Sequence, residues 1–314
     1  MNTTNQESAV SPSGVTSEVA TDSRVGFIGL GLMGSGMAMN ILTKHGRLNV
    51  SDVDARALEP LVSAGAVQRA SPRALGEVCD VVLLSLPDPS ISRQVILGPE
   101  GLIHGLAAGA TVVGMSTDGI EAVREFQAAL AARHIRFVDC PVGKGPTAAA
   151  AGELQLFVSG DRDTCESLRW LLSMIGSKID YCGPIGAGQA IKLANNLLSC
   201  GYGALISEAY AMAKKADADL DIFCEALPQT AANSWPLQNV FVAKAFKGDF
   251  TPYFRLSAAH KDYKLVVAMA DALGTPSTAA RAVLAYYTAA AAAGHGELDF
   301  GALALVNNPE LLGE

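Results

Sequence analysis

Short apolar runs rich in β-branched residues alternate with longer amphipathic runs through the first half of the chain. The apolar runs have the length of buried strands, and the runs between them carry apolar residues at helical spacing. This pattern predicts strands at 25–28, 48–51, 81–84, 111–114, 135–138, 154–158 and 178–181. It predicts helices at 33–44, 55–64, 72–77, 120–133 and 161–175. Alternation of this kind indicates a parallel sheet with helices on both faces.

The second half of the chain has a different pattern, because alanine-rich helical runs replace the strands. Long helices are predicted at 189–216, 258–273 and 278–293. We therefore predict an α/β Rossmann-type domain at 23–185, followed at 186–314 by a long connecting helix and an all-α domain for substrate binding and oligomerisation. Residues 1–22 are rich in Ser and Thr and lack aromatic residues, so they are predicted to form a disordered tail. They have neither a basic start nor an apolar segment, so they do not read as a secretory signal.

The first ordered stretch, 25–44, contains no charged side chain before its last residue and is long enough to cross a bilayer. Five glycines in its first dozen residues argue against one continuous helix. A strand, a G-x-G-x-x-G turn and a helix fit better than a membrane span or a plain tight turn. In that arrangement the glycines allow a tight turn, close approach of a pyrophosphate and close packing of the helix on the strand. The predicted cofactor-binding turn is Gly29-Leu30-Gly31-Leu32-Met33-Gly34.

Asp52 ends the second predicted strand, about 20 residues past the glycine turn, where a dinucleotide site has an acidic residue. A carboxylate there accepts hydrogen bonds from the ribose hydroxyls and repels a 2′-phosphate, so we predict NAD, with NADP less favoured. Alternatively, Asp52 caps the next helix, although Asp54 is available for that role.

Composition excludes several classes of protein. The chain has 314 residues, half of them apolar, and a net charge of −8, which disfavours nonspecific nucleic-acid binding. Six scattered cysteines form no C-x-x-C pair, and five histidines show no H-x-x-x-H spacing, so neither a disulfide framework nor a metal site is predicted. We expect reduced thiols, a cytoplasmic location, and no nucleic-acid or membrane partner.

Lys192 and Asn196 lie four residues apart in a predicted helix that follows two glycines, within GAGQAIKLANN. Such spacing places both side chains on one face. A lysine whose pKa is lowered can exchange the hydroxyl proton during hydride transfer, and an amide can fix that hydroxyl. Spacing alone favours a lysine that extends from an amphipathic helix into solvent.

Four ordered motifs resemble the β-hydroxyacid dehydrogenase family, which includes 3-hydroxyisobutyrate dehydrogenase and tartronate semialdehyde reductase. They are GFIGLGLMGSGMAMN, DCPVGKG, GAGQAIKLANN and FRLSAAHKD, and the resemblance extends from residue 25 to about residue 305. SLPD and MST also stand where this family contacts its cofactor. The resemblance implies a Rossmann-like domain, a long connecting helix, a helical domain, and a homodimer or homotetramer.

The resemblance also implies residue roles. Lys192 matches the catalytic lysine, Asn196 the asparagine that positions substrate, and Lys261 a lysine that reaches cofactor and substrate. The further positions that match cofactor contacts are Leu86, Pro87 and Thr117.

The substrate loop departs from the family's D-x-P-V-S-G-G, because Gly143 replaces the serine and Lys144 the middle glycine, ahead of Gly145. Lys144 either binds the acidic end of the substrate or points into solvent. A Gly-Arg pair here, with a later S-W-P like the one containing Trp235, occurs in the sulfolactaldehyde reductase branch. That branch carries a polar residue a few positions on, where this chain has alanines, so a sulfonate substrate is not assigned.

We therefore expect an oxidoreductase that transfers a hydride between NAD and a small anionic 3-hydroxy acid or its semialdehyde, with Lys192 as general acid and base. The alternatives are an imine reductase of the same fold, in which the lysine is usually replaced, and a non-catalytic cofactor-binding scaffold.

Overall fold

A computed structural model describes residues 19–313, and within them two layers of helix cover a nine-stranded sheet. The strands are β1 Val25–Ile28, β2 Asn49–Ser51, β3 Val67–Gln68, β4 Val81–Leu84, β5 Thr111–Gly114, β6 Arg136–Asp139, β7 Val142–Gly143, β8 Leu154–Ser159 and β9 Gly176–Gly183. Their order is β3-β2-β1-β4-β5-β6-β8-β7, with β9 paired to β8. The predicted Rossmann-type α/β domain is confirmed.

The helices of this half begin just after the carboxyl ends of the strands, where a cofactor site is expected. They are α1 Gly34–His45, α2 Ala55–Ser63, α3 Pro72–Gly76, α4 Pro89–Leu97, α5 Ile120–Ala131, α6 Pro146–Ala151, α7 Arg162–Ser167 and α8 Arg169–Leu172. The single helix predicted at 161–175 is therefore two helices. The helices α4 and α6 and the strands β3 and β7 were not predicted.

The predicted parallel sheet includes antiparallel pairing at one edge. Strands β1 to β6 pair in parallel, but β8 runs antiparallel to both β6 and β7. Parallel neighbours need a crossover of a dozen or more residues, whereas antiparallel ones can be joined by a short connection. Only the six-residue α6 and its flanks separate β7 from β8, so the chain returns in the opposite direction.

Side chains on the central strands alternate between two apolar layers. Val81 and Leu83 pack into the core on one face, with α1, and Val82 and Leu84 into the core on the other, with α5. This period of two, apolar on both sides, explains why these strands appear as continuous apolar runs.

The remaining chain is helical, as predicted, with one isolated bridge between Arg255 and Asp299 in the described part. Its α-helices are α9 Ala187–Lys215, α10 Leu220–Ala226, α11 Leu256–Ala272 and α12 Thr278–Ala292. Leu237–Val242 forms a π-helical turn, and the 3-10 helices of the chain are Leu102–His104, Leu227–Gln229, Ala245–Lys247, His295–Glu297, Phe300–Val306 and Pro309–Leu312. The 29-residue α9 belongs to the core of this half through Leu193 and Cys200.

Most of the predicted tail, residues 1–18, lies outside the described residues. Its last residues lie against the α/β domain: Val19 is buried in the α1 core, and the Arg47 guanidinium donates a 2.5 Å hydrogen bond to the Asp22 carbonyl. Within 19–313, no helix combines the length and the apolar character that a bilayer crossing requires.

Candidate active site

The glycine turn joins β1 to α1 in a form that only glycines allow. Gly29 has φ +91°, and a Cβ there would lie 2.2 Å from the carbonyl oxygen of Ser85. A Cβ on Gly34 would lie 1.8 Å from the carbonyl oxygen of Gly29, so α1 starts directly against the turn. Around Gly31, in contrast, there is open space, and no side chain caps the start of α1. Open space over an uncapped helix N-terminus fits the pyrophosphate of a dinucleotide.

The carboxylate of Asp52 borders this turn at the end of β2. It accepts hydrogen bonds from the backbone N–H of Leu30 at 2.5 Å and of Asp54 at 2.8 Å. Asp54 itself caps α2 by accepting from the N–H of Arg56, so helix capping does not occupy Asp52. Asp52 therefore connects the glycine turn to the edge where an adenosine ribose would lie.

The predicted cofactor contacts on the next two strands lie at the same edge. Leu86 approaches Gly29, and its N–H donates to the hydroxyl of Ser116 at 2.8 Å. Pro87 follows it and is exposed. The carbonyl of Thr117 accepts a 2.7 Å hydrogen bond from the Lys261 ammonium, so α11 reaches across to this loop. A series of contacts therefore runs from Asp52 through the glycine turn and Leu86 to the loop of Thr117, which Lys261 reaches.

Lys192 lies in the second turn of α9, and its side chain is partly buried. Burial lowers the pKa of its ammonium below the usual range. The charge of Asp262 opposes this shift, and the charge of Lys261 adds to it. Burial is therefore the larger cause of the lowered pKa, and like-charge repulsion from Lys261 is a smaller one.

Asp262, which follows Lys261 on α11, connects the predicted catalytic residues. Its buried carboxylate accepts a 2.6 Å hydrogen bond from the Asn196 amide and lies 2.8 Å from the Lys261 ammonium. The sequence analysis missed this residue, although the HKD motif contains it. Asp262 therefore contacts Asn196 and Lys261 directly, and its charge acts on Lys192.

Gln189 is a second residue that the sequence analysis missed. It is fully buried one turn before Lys192, and its amide donates to the carboxylate of Asp139 at 2.7 Å. Burial raises the pKa of Asp139 to about 6, although hydrogen bonds from Gln189 and Ser159 oppose that change. Only its position in GAGQAIK, between the glycines and the lysine, could have pointed to it.

The predicted substrate loop lies at the end of β7. Gly143 is buried, and a Cβ on Gly145 would lie 2.1 Å from the hydroxyl of Tyr253, which belongs to the helical half. Trp235 is 55% exposed and lies beside Tyr253, with ring centroids 5.7 Å apart. Tyr253, another residue that was not predicted, thus brings the helical half into contact with the substrate loop.

Lys144 adopts φ +67°, in the left-handed region that favours glycine. Its side chain is exposed, and its ammonium donates to the backbone carbonyl of Glu153 at 2.7 Å. The predicted contact between Lys144 and a substrate carboxylate therefore remains a prediction. Among the described residues, no group of three or more His, Cys, Asp or Glu side chains could hold a metal ion.

A glycine turn at the strand ends, followed by lysines on the helices α9 and α11, is typical of an NAD(P)-binding oxidoreductase. Comparison with known families gives the particular class. Residues 24–183 match the NAD-binding domain of 6-phosphogluconate dehydrogenase, and residues 186–306 match a region described as NAD-binding in NADP-dependent 3-hydroxyisobutyrate dehydrogenase. The chain belongs to the β-hydroxyacid dehydrogenase family and is an NAD(P)-dependent hydroxyacid dehydrogenase.

Individual relatives agree over nearly the whole length. The chain is 32% identical to 3-sulfolactaldehyde reductase of Escherichia coli over 89% of this chain and 94% of that protein. It is 30% identical to NAD-dependent L-serine dehydrogenase of Pseudomonas aeruginosa, over 91% and 98%. The crystal structure of 3-hydroxyisobutyrate dehydrogenase from Salmonella typhimurium superposes with a TM-score of 0.81 at 30% identity, over 90% and 99%.

Proteins with other names are also similar to this chain. An imine reductase from Pseudomonas sp. has a TM-score of 0.58 at 19% identity, covering 90% of this chain and 98% of that one, which shows a shared fold alone. Human cytokine-like nuclear factor N-PAC is 27% identical over 90% of this chain but only 51% of its own length. The hydroxyacid dehydrogenase assignment fits better than that of an imine reductase.

Proposed function

We propose that this enzyme interconverts a small anionic 3-hydroxy acid and its semialdehyde with NAD, and that Lys192 exchanges the proton. The observation that carries the proposal is a lysine of lowered pKa near the hydrogen-bonded Asn196–Asp262–Lys261 cluster, whose Lys261 also bonds the Thr117 carbonyl beyond the end of β5.

A bound nicotinamide supplies hydride transfer at the carbinol carbon. In the oxidation direction, the neutral amine of Lys192 takes the hydroxyl proton as the C–H and O–H bonds become a carbonyl. In the reduction direction, the ammonium returns that proton. A lowered pKa supports both roles, because the group then changes charge nearer to neutral pH.

Asn196 is suited to position the substrate, since its amide nitrogen is fixed on Asp262 and its oxygen accepts from Asn195 at 3.0 Å. The loop of Gly143, Lys144 and Gly145 is the proposed binding site for the acidic end. Tyr253 contacts that loop from the helical half, and Trp235 lies next to it. A cation at Lys144 would favour an anionic group through a charge-assisted hydrogen bond.

NAD is the proposed cofactor. The Asp52 carboxylate is fixed by two backbone N–H groups at the ribose edge, where its charge disfavours a 2′-phosphate. The nearest following arginine, Arg56, is already paired with Asp54.

A homo-oligomer is proposed from the exposed face of α9. Four exposed apolar side chains repeat there every seven residues, namely Ile191, Leu198, Leu205 and Met212. The exposed Tyr202 lies on the same helix between Leu198 and Leu205. Apolar residues that repeat every seven positions allow a helix to pack along a second helix with the same repeat. In a two-fold antiparallel pair, Leu198 faces Leu205 of the other copy, so the stripe is complementary to itself. We also propose a cytoplasmic location, because all six cysteines are free thiols.

The test is a turnover screen in both directions with NAD and NADP. The substrates are 3-hydroxyisobutyrate, glycerate, serine, 3-hydroxypropionate and sulfolactate, with their aldehydes for reduction. We expect NAD-linked turnover of at least one anionic compound. In Lys192→Ala, kcat should fall by about 10²–10⁴, the usual contribution of proton transfer, while NADH binding measured by fluorescence is retained.

The matched control is Lys215→Ala, which removes an exposed lysine from the same helix. It should leave kcat unchanged. Near-normal kcat in Lys192→Ala would exclude the proposed role, and turnover of imines with none of the hydroxy acids would favour the imine reductase alternative.

A further inference from the structure

Gln189 uses its whole hydrogen-bonding capacity on two separate loops. Its side-chain nitrogen donates to the Ser116 carbonyl at 3.0 Å and to the Asp139 carboxylate at 2.7 Å. Its side-chain oxygen accepts from the N–H of Asp118 at 3.1 Å and of Gly119 at 3.0 Å. A primary amide has two donor hydrogens and two acceptor lone pairs, so all four are satisfied in a position with no solvent exposure.

The first loop is the one that carries Thr117. Ser116, Asp118 and Gly119 flank it on both sides, and all of their bonds to Gln189 use main-chain atoms. The Thr117 carbonyl accepts a hydrogen bond from Lys261. Its orientation therefore depends on backbone segments that are hydrogen-bonded to the Gln189 side chain.

The second loop is the one proposed to bind substrate. Asp139 is the last residue of β6 and starts the segment that leads to Gly143 and Gly145. Its other oxygen accepts from the Ser159 hydroxyl at 2.9 Å and from the backbone N–H of Gln189 at 3.3 Å. Asp139 is therefore fixed to the start of α9 from two sides.

The start of α9 is already in contact with the sheet, so it cannot move closer to compensate for the loss of the Gln189 hydrogen bonds. A Cβ on Gly188 would lie 2.4 Å from the Phe157 carbonyl oxygen, and the Gly188 N–H donates to Ser159 at 3.2 Å. The first turn of the helix thus lies directly on β8. Lys192 follows Gly188 by four residues on the same helix, so the position of the first turn sets the position of the lysine.

We propose that Gln189 is a positioning residue that fixes Lys192 in register with both the Thr117 loop and the substrate loop. The inference rests on the proposed function, since it assumes that Lys192 exchanges the proton. Productive geometry is sensitive to misplacement, and a shift of about 1 Å can cost about 100-fold in rate. A buried amide that connects the helix of the lysine to both loops is suited to prevent such a shift.

The test compares Gln189→Met, which keeps the length but loses all four hydrogen bonds, with the wild type. We expect kcat/KM for the hydroxy acid to fall by about 100-fold. Most of that loss should appear in kcat, and the dissociation constant for NADH, measured by fluorescence without turnover, should rise several-fold. In the double variant Gln189→Met/Lys192→Ala, kcat should equal that of Lys192→Ala, because a residue that acts through Lys192 has no effect once the lysine is gone.

The matched control is Ser207→Ala. Ser207 is also fully buried on α9, about 27 Å further along the helix than Gln189. Its hydroxyl donates a hydrogen bond to the Leu303 carbonyl and accepts one from the Asn307 amide. It should lower the melting temperature without changing kcat/KM, measured well below that temperature.

If Gln189→Met does not fold, Gln189→Glu preserves the shape and the two acceptor bonds while placing a carboxylate against Asp139. A folded Gln189→Glu or Gln189→Met with kcat/KM within twofold of wild type overturns the inference. That result leaves the proposed function intact as long as Lys192→Ala is inactive, whereas an active Lys192→Ala removes the proposed function itself.

Discussion

The side-chain amide of Asn196, on α9, donates a 2.6 Å hydrogen bond to the buried carboxylate of Asp262, on α11. This bond joins two helices that are 66 residues apart in sequence. It fixes the amide proposed to position the substrate, and it places a negative charge where it opposes the lowered pKa of Lys192. Asp262 therefore influences both the geometry and the charge state of the site.

Replacing Asp262 by Asn should lower the pKa of Lys192 further. The carboxylate favours the ammonium, so its removal favours the neutral amine. In the oxidation direction the amine is the active form, and the acidic limb of the kcat/KM profile should move to lower pH. In the reduction direction the ammonium is active, and the basic limb should move to lower pH.

The measurement is a pair of pH–rate profiles, one for each direction. The control is Asp271→Asn, which removes an exposed carboxylate paired with Arg281 near the end of the same helix. Its profiles should match the wild type. Unchanged limbs in Asp262→Asn, or a shift toward higher pH, would contradict the assignment of the titrating group to Lys192.

Local patterns predicted those parts of the molecule in which neighbouring residues determine the conformation. The glycine turn was predictable because each of Gly29 and Gly34 would clash with backbone if it carried a side chain. Strand β4 was predictable in full because an apolar run of four residues that begins with two valines is too short for a helix and has the composition of a buried strand.

Features that depend on distant segments were not predictable in this way. Gln189 looks like one more polar residue in an alanine-rich helix, and only the meeting of β5, β6 and α9 buries it. The antiparallel direction of β8 depends on how short the connection from β7 is, and the sequence analysis did not recognise β7 as a strand. Helix α4 did carry a local signal, since Asp88 caps it and Pro89 begins it, but its polar composition obscured the periodicity.

Lys144 offers a test that separates backbone strain from substrate binding. A residue other than glycine in the left-handed region costs roughly 1–2 kcal/mol, and φ at Lys144 is +67°. Lys144→Gly and Lys144→Ala both remove the ammonium, but only glycine relieves the strain. We expect Lys144→Gly to be more stable than Lys144→Ala by about 1 kcal/mol in urea unfolding.

Both variants should raise KM for the anionic substrate much more than for an uncharged alcohol if the ammonium binds the acidic end. Equal changes for the two substrates would show that Lys144 has no such role. A stability difference without any change in KM would mean that the lysine serves only its contact with the Glu153 carbonyl.

Asp52 should determine the choice between the two nicotinamide cofactors. Asp52→Ser removes the negative charge next to the proposed 2′ position, so NADPH should bind more tightly relative to NADH, by about tenfold. Titration of protein fluorescence with each cofactor measures the ratio. The control is Asp80→Asn, since Asp80 also accepts from a backbone N–H, that of Arg24 at 2.8 Å, but at the amino end of β4. If the ratio of NADPH to NADH affinity is unchanged in Asp52→Ser, the carboxylate stabilises the glycine turn but does not select the cofactor.

The apolar stripe of α9 yields the last prediction. Leu198 and Leu205 are 57% and 61% exposed in one chain, although the hydrophobic effect favours covering such side chains. Because the two-fold pairing places each against the other, Leu205→Glu introduces two charges into one interface, and neither has a cationic partner on the stripe. We expect the variant to sediment as a monomer at micromolar concentration while the wild type sediments as a dimer or tetramer.

The matched control is Leu273→Glu, which changes a leucine that is 64% exposed at the end of α11 and away from the stripe. It should leave the oligomer intact. Since Ile191 precedes Lys192 on the same turn, loss of the pair should also lower kcat/KM, whereas a fully active monomer would show that the site needs only one chain. An unchanged oligomer in Leu205→Glu would place the interface on another face.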